Sequence, residues 1–214
     1  PKSYNIILSR LFVNGKEACF WPCGYNSFYC DVTSLVNEDG KNNTLAVRLE
    51  NRPQSSRWYP GAGLYRNVHV VTTEKIHVPV WGTQITTPYV KDEYASVCLR
   101  TTILNAGKTE LTVVTDIMDA DGQVVSTKTN KGVINHGQPF TQNFIVERPK
   151  LWSPETPVLY KAVSKIYSGD TLLDTYSTRF GIRTIEYIAD KGFYLNGKRR
   201  KFQGVCNHHD LGPL

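Results

Sequence analysis

"LTVVTDIMDADGQVVSTKT", residues 111–129, is the stretch that decides the fold class. Leu111, Val113 and Ile117 share one side of a two-residue alternation, while Thr112 and Asp116 fall on the other. A strand with one face in a core needs this period, and an amphipathic helix does not produce it. Asp121-Gly122 then separates two such runs, and Asp-Gly supplies the positive φ of a tight two-residue turn. The stretch therefore predicts a β-hairpin.

Outward from this hairpin the pattern repeats in "TLAVRLEN" (44–51), "NVHVVTT" (67–73), "YASVCLRTTILN" (94–105), "QNFIVERP" (142–149) and "VLYKAVSKIYSGDTLLDTY" (158–176). No window of a dozen residues sustains apolar positions at i, i+3, i+4 and i+7, so an all-β chain is expected. Asn14-Gly15, Gly169-Asp170 and Asn196-Gly197 mark further tight turns. Two of the hairpins read alike, "FVNGKEACF" (12–20) and "YLNGKRRKF" (194–202). No longer period accompanies them, so they read as one hairpin solution used twice rather than as a repeat architecture.

Composition narrows the functional classes. The 214 residues are 40% hydrophobic and 21% charged, ordinary for a globular chain, and allow one whole domain flanked by partial ones. No apolar run reaches the ~18 residues that span a bilayer, so no membrane span is expected. The chain opens "PKSYNIILSR" without Met or a leader, which reads as a natural N-terminus lying upstream; a periplasmic or extracellular setting ranks ahead of the cytoplasm. The net charge of +6 is spread over 25 scattered Lys and Arg, and only Lys198, Arg199, Arg200 and Lys201 form a run. A nucleic-acid binder gathers basic residues on one face, so no nucleic-acid partner is expected and the run reads as a solvated hairpin. Cys19, Cys23, Cys30, Cys98 and Cys206 show no C-x-x-C spacing, which removes zinc-ribbon chemistry. Reduced thiols are the expected state, with a Cys19–Cys23 or Cys23–Cys30 disulfide left open.

Three blocks follow from the turn signals: residues 1–74, ending in the aromatic, Gly-rich loop "RPQSSRWYPGAGLYRNV" (52–68); residues 75–184, with about seven strands at the rhythm of an immunoglobulin-like sandwich; and residues 185–214, too short for a core of their own. In the loop, Trp58 and Tyr59 precede Pro60-Gly61-Ala62-Gly63. Such aromatics can stack on sugar rings, but plugging an interdomain interface together with Tyr65 is the favoured reading. In "PKLWSPETPVLY" (149–160), Pro154 and Pro157 interrupt any ladder and Trp152 offers a large apolar face to the sandwich edge. In "TRFGIRTIEY" (178–187), Gly181 permits close approach, and Arg179 and Arg183 read as interdomain anchors able to bridge carboxylates. The last apolar run ends in Cys206, Asn207, His208, His209 and Asp210. Adjacent strand residues point to opposite faces, so His208, His209 and Asp210 are not expected to chelate one metal ion.

"SSRWYPGAGLYRNVHV" (55–70), "PKLWSPETPVLY", "TRFGIRTIEY" and "GFYLNGKRRKFQGVCNHHD" (192–210), in that order, resemble glycoside hydrolase family 2, most closely its β-galactosidase branch. The resemblance implies that residues 1–74 are the later part of a sugar-binding jelly roll and 75–184 an immunoglobulin-like sandwich. Residues 185–214 become the opening of a truncated (β/α)8 barrel, whose working groups stand at the C-terminal ends of its strands. Relatives commonly read G-V-N-x-H-E at the tail. That places His208 on the sugar-contacting histidine, with Asn207, His209 and Asp210 as weaker substrate-side candidates; Cys206 stands where Asn is usual and His209 where Glu is usual. Arg57 occupies the place of an acidic metal-binding residue of some relatives. No cofactor or metal is therefore expected in this stretch, although parent enzymes of the family use divalent cations. Arg57, Trp58, Tyr59, Arg66, Trp152, Arg179 and Arg183 are then interdomain or structural residues.

The resemblance further implies a retaining mechanism, in which two carboxylates stand about 5 to 5.5 Å apart. Both fall on later barrel strands, so no catalytic residue is expected before Leu214 and the chain alone is expected to be inactive. The parent is expected to cleave terminal β-galactosides, its carbohydrate partner. A β-glucuronidase-type enzyme and a stand-alone carbohydrate-binding module are the alternatives. A jelly roll without its first strands exposes an unpaired edge, so self-association is expected.

Overall fold

The structure is a computed structural model and describes residues 7–24, 26–37, 41–51, 63–104, 107–134 and 136–205. These form thirteen strands and no helix, which gives the all-β class that the alternation predicts. The chain divides into two compact units, Pro1–Val71 and Thr72–Leu214.

In the first unit, β1 (Ile7–Val13), β2 (Lys16–Trp21) and β3 (Leu45–Asn51) form an antiparallel sheet in the order β2-β1-β3. The β1–β2 turn is Asn14-Gly15 with φ of 50° and 80°, the two positive values that a type I′ turn demands. Asn14 then does more than turn the chain. Its backbone N–H donates to Thr44 O (2.9 Å), its Oδ1 accepts from Thr44 N–H (3.0 Å), and its Nδ2 donates to Leu35 O (2.9 Å). On the central strand, Arg10 pairs with Glu17 at 2.7 Å and reaches Glu50 at 3.9 Å. Its guanidinium also lies 4.8 Å from the Phe20 ring centroid. Ion pairs this exposed contribute little to stability.

The second unit is a β-sandwich. One sheet has the order β4-β5-β8, from β4 (Thr83–Val90), β5 (Tyr94–Thr102) and β8 (Pro139–Glu147). The facing sheet has the order β10-β9-β6-β7, from β6 (Glu110–Met118), β7 (Val124–Val133), β9 (Tyr160–Ser168) and β10 (Thr171–Phe180). A small sheet, β11 (Ile185–Ile188), β12 (Gly192–Leu195) and β13 (Lys198–Arg199), follows within the same unit. Tyr160 opens β9, and its hydroxyl accepts the Lys150 N–H at 2.9 Å. That bond pins the crossing from β8 to β9, the service a tyrosine corner performs in immunoglobulin-like sandwiches.

The tight-turn rule needs one correction. Gly169-Asp170 joins the paired residues Ser168 and Thr171 directly, with φ 56° at Gly169, as a two-residue turn should. At 121–122 only Gly122 has positive φ (82°), and the connection is longer. Asp119 organises it: its Oδ1 accepts the N–H groups of Asp121 (3.0 Å) and Gln123 (2.8 Å). A side-chain acceptor two residues upstream supplies the turn here in place of a second left-handed residue.

The sandwich core is layered. One apolar cluster contains Val97 and Leu99 of β5, Ile117 of β6, Phe144 of β8 and Ala162 of β9. A second contains Ile103, Leu111 and Val113 with Ile166 of β9, and Phe140 of β8 packs against it. Between them each of these four strands places one buried polar residue: Thr101 on β5, Thr115 on β6, Gln142 on β8 and Ser164 on β9. Thr115 Oγ1 donates to Gln142 Oε1 at 2.7 Å and lies 2.8 Å from Ser164 Oγ, while Gln142 Nε2 donates to Asn130 Oδ1 at 3.0 Å. Thr101 Oγ1, also buried, has no hydrogen-bond partner.

Candidate functional site

The chain feature with a positional function is the junction where the small sheet meets the sandwich, and the loop 149–157 builds it. Three prolines, Pro149, Pro154 and Pro157, keep this loop out of the β ladder. Ser153 and Thr156 stiffen it: Ser153 N–H donates to Thr156 O (3.0 Å), and Thr156 N–H donates to Ser153 Oγ (3.1 Å). Trp152 N–H donates to Ile182 O at 2.8 Å, tying the loop to the end of β10. Gly181 lies beneath the indole, where an added Cβ would stand 2.8 Å from Trp152 Cβ and 2.9 Å from Cγ. Only glycine fits that approach.

The hairpin is then fastened to this bracket at two points. Asn196-Gly197 repeats the left-handed pair of the first hairpin, with φ of 51° and 71°. Asn196 N–H donates to Thr184 O (3.1 Å), its Oδ1 accepts from Thr184 N–H (3.0 Å), and its Nδ2 donates to Trp152 O (3.0 Å). These three bonds repeat those of Asn14, whose Nδ2 also donates to Asn43 Oδ1 at 2.8 Å. The second point is Arg200, whose Nη1 and Nη2 meet Glu155 Oε1 and Oε2 at 2.6 and 2.9 Å. Such a two-pronged contact fixes direction as well as distance.

Hydrogen bonding to Arg200 is the leading cause that holds the Glu155 carboxyl below its ordinary value of 4.5. A carboxyl depressed in the folded state stabilises above its unfolded pKa, and that contribution is lost as the pH falls through the lower folded value. Glu155→Gln is therefore expected to lower the thermal midpoint slightly at pH 7 and to lower it less near pH 3. Thermal melts of the two forms at both pH values check this, and an equal difference at both would contradict it.

Beyond the fastening points the hairpin carries aromatics: Phe193 lies 5.3 Å from Tyr187 and 4.7 Å from Phe202, centroid to centroid. Tyr187, Phe202 and Val205 are 78%, 75% and 87% exposed, so this face offers apolar surface for covering.

Of the residues singled out in the sequence, Trp152 is half-buried at the bracket. Arg183 spreads its guanidinium over the Trp152 ring at 5.2 Å. Arg179 is exposed on β10, and Arg66 is exposed with its guanidinium 5.4 Å from the Tyr65 ring. Arg57, Trp58, Tyr59, Asn207, His208, His209 and Asp210, with Cys206, lie outside the described residues. Sequence reasoning missed three participants. Asn196 was read only for its turn, Arg200 as one charge in a solvated run, and Glu155 not at all. The matching hairpins carried a signal for Asn196, because the shared Asn predicts shared bonding; a partner 45 residues away carried none for Glu155.

Three carboxylates elsewhere among the described residues accept structural hydrogen bonds. Asp174 Oδ2 accepts Val78 N–H at 2.8 Å, Asp116 accepts the Thr127 hydroxyl at 2.7 Å, and Asp31 Oδ1 accepts from Thr33 N–H at 2.9 Å. Glu155, depressed by its arginine, is opposite in character to a general acid, which needs a raised pKa. Among the described residues no three His, Cys, Asp or Glu converge as metal ligands, and no helix is long and apolar enough to cross a membrane.

Comparison with known proteins supplies the context for this junction. The family profile described as Glycosyl hydrolases family 2 matches residues 76–183, which covers the sandwich. The β-galactosidase BoGH2A of Bacteroides ovatus is 43% identical over 211 residues, covering 96% of this chain and 25% of that protein. A β-glucuronidase of Formosa agariphila is 29% identical over 222 residues, covering 92% of this chain and 22% of its own length. The crystal structure of a glycosyl hydrolase family 2 member from Bacteroides cellulosilyticus superposes with a TM-score of 0.82 at 30% identity, covering 95% of this chain and 30% of that one. The chain thus spans about a quarter of the length of the curated relatives it matches.

Proposed function

The chain belongs to glycosyl hydrolase family 2, and we propose that it is the non-catalytic N-terminal portion of a retaining enzyme that removes terminal β-D-galactosyl residues. On this reading residues 1–74 are the later part of a jelly roll, 75–184 are the sandwich, and 185–214 open the catalytic barrel. The observation that carries it is the bracket: Asn196 and Arg200 fasten the turn and exit of the hairpin to the 152–156 loop. A rigid sandwich edge that directs one short hairpin, whose exposed aromatics await cover, suits a domain whose task is to start another domain in register. Placement of reacting groups to within about half an ångström needs such support from surrounding structure.

The sugar assignment draws on the 43% identity to a β-galactosidase over nearly the whole chain and on the tail "HHDLGPL", which lies nearer the galactosidase pattern. In this reading His208 contacts the bound sugar, and Asn207, His209 and Asp210 border it. A β-glucuronide substrate is the second reading, favoured by the relative of that activity. The exposed Val68, Val70 and Val71 fit the reading of a partial jelly roll, through which the separate chain self-associates.

The division of labour is tested by comparing the 214-residue chain with the intact protein on a chromogenic β-galactoside. No turnover is expected from the chain. The intact protein is expected to release the β-anomer first by proton NMR, because double displacement retains configuration. Turnover by the 214-residue chain, or first release of the α-anomer, would contradict the proposal.

A further inference from the structure

The cysteines of the first unit carry chemistry that the sugar-cleaving function leaves unused. Trp21 of β2 stacks on Phe28 with ring centroids 5.6 Å apart and 15° between planes. Two positions away on each side, the thiol of Cys19 interacts with that of Cys30. Both pairs sum to the same number, 21 with 28 and 19 with 30, so the 28–30 segment runs back along β2 side chain to side chain, without forming a strand of its own. Burial follows the same alternation. Cys19 and Trp21 are half-buried with Phe20 exposed between them, and Phe28 and Cys30 are half-buried with Tyr29 exposed between them. Cys23 follows Pro22, after the end of β2, and falls outside this register.

We propose that Cys19 and Cys30 are a disulfide site, closed by a low-molecular-weight disulfide such as oxidised glutathione. A disulfide needs its Cβ atoms about 3.5 to 4.5 Å apart, and the contact of the two thiols beside the Trp21–Phe28 stack leaves a small closing movement. One protein thiolate attacks a glutathione sulfur and expels a first glutathione thiolate. The second protein thiol, after losing its proton, attacks the protein sulfur of the mixed disulfide and expels a second. One protein S–S bond and two glutathione thiols replace two protein thiols and one glutathione disulfide: the protein loses two electrons and glutathione disulfide gains them. The bond ties the 28–30 segment to β2 and closes the loop that contains Cys23. Burial first, and Cys30 second, push the Cys19 thiol up to about 12. The thiolate is the attacking form, so closure speeds up as pH rises above neutrality.

The intact, natively folded protein is incubated with oxidised glutathione, alkylated, digested and mapped by mass spectrometry. The expected result is a peptide pair linked through Cys19 and Cys30, with Cys23 alkylated. The same link is expected in Cys23→Ser, and its yield at a fixed time is expected to be greater at pH 9 than at pH 7. Links that run through Cys23, or full alkylation of Cys19 and Cys30 after oxidation, would overturn the proposal.

Discussion

Trp152→Ala is expected to lower the stability of the sandwich unit by about 3 kcal/mol, the low end of the range for removing a large packed aromatic because Trp152 is only half-buried. The indole rests on Gly181 and supports the Arg183 guanidinium, so its loss opens the bracket from both sides. Gly181→Ala tests the same contact from beneath. Its Cβ would enter at 2.8 Å from Trp152 Cβ, and forcing that overlap is expected to cost about 1–3 kcal/mol. In a Trp152→Ala background Cγ and Cδ1 are gone but the alanine Cβ still stands 2.8 Å away, so Gly181→Ala should then cost less than in the parent without becoming neutral. Urea unfolding of the four forms checks this. Additive losses would show that the indole and Gly181 are not the contact that holds the bracket. On the proposed reading the intact protein has a further readout: a displaced hairpin would misplace the segment leading to His208, and kcat is expected to fall even where the variant stays folded.

The second large effect comes from one substitution made at two positions. Thr115→Val removes the donor that Gln142 Oε1 accepts and the hydroxyl that faces Ser164, in a layer sealed from water. Leaving buried polar atoms without partners costs about 1–3 kcal/mol, and that loss is expected here. Thr101→Val has the same shape change in the same layer, but the Thr101 hydroxyl has no partner to lose. Replacing an unsatisfied buried hydroxyl by methyl removes a desolvation cost, so Thr101→Val is expected to raise stability by about 1 kcal/mol. Denaturant midpoints at constant m-value measure both. If the two variants shift the midpoint in the same direction, the polar layer is not organised as described.

The fold was legible wherever a two-residue period met a turn dipeptide. Leu111, Val113 and Ile117 announced the inner face of β6, and Asn14-Gly15 and Asn196-Gly197 announced their turns. The same alternation did not reveal that Thr101, Thr115, Gln142 and Ser164 lie at one level. Their alignment depends on the register between four strands and on how two sheets face each other, which no single segment encodes. Asp121-Gly122 misled because Asp119, two residues earlier, provides the turn through its carboxylate. The motifs around Trp152 and Gly181 were recognisable, and Gly181 was legible as a place of close approach, but not that the Trp152 side chain is what approaches it. The Glu155–Arg200 bridge was not, since an ion pair between distant surface loops leaves no local pattern. The approach of Cys19 to Cys30 escaped for a similar reason: spacing alone put Cys23 between two nearer neighbours, whereas the side chains beside the Trp21–Phe28 stack skip it.

The central claim is that this sandwich and its fastened hairpin start the catalytic domain of a β-galactoside hydrolase. Its most direct test is kcat/KM of the intact protein on matched p-nitrophenyl β-D-galactoside and β-D-glucuronide. A clear preference for the galactoside is the predicted result; preference for the glucuronide, or hydrolysis of neither, would contradict the account.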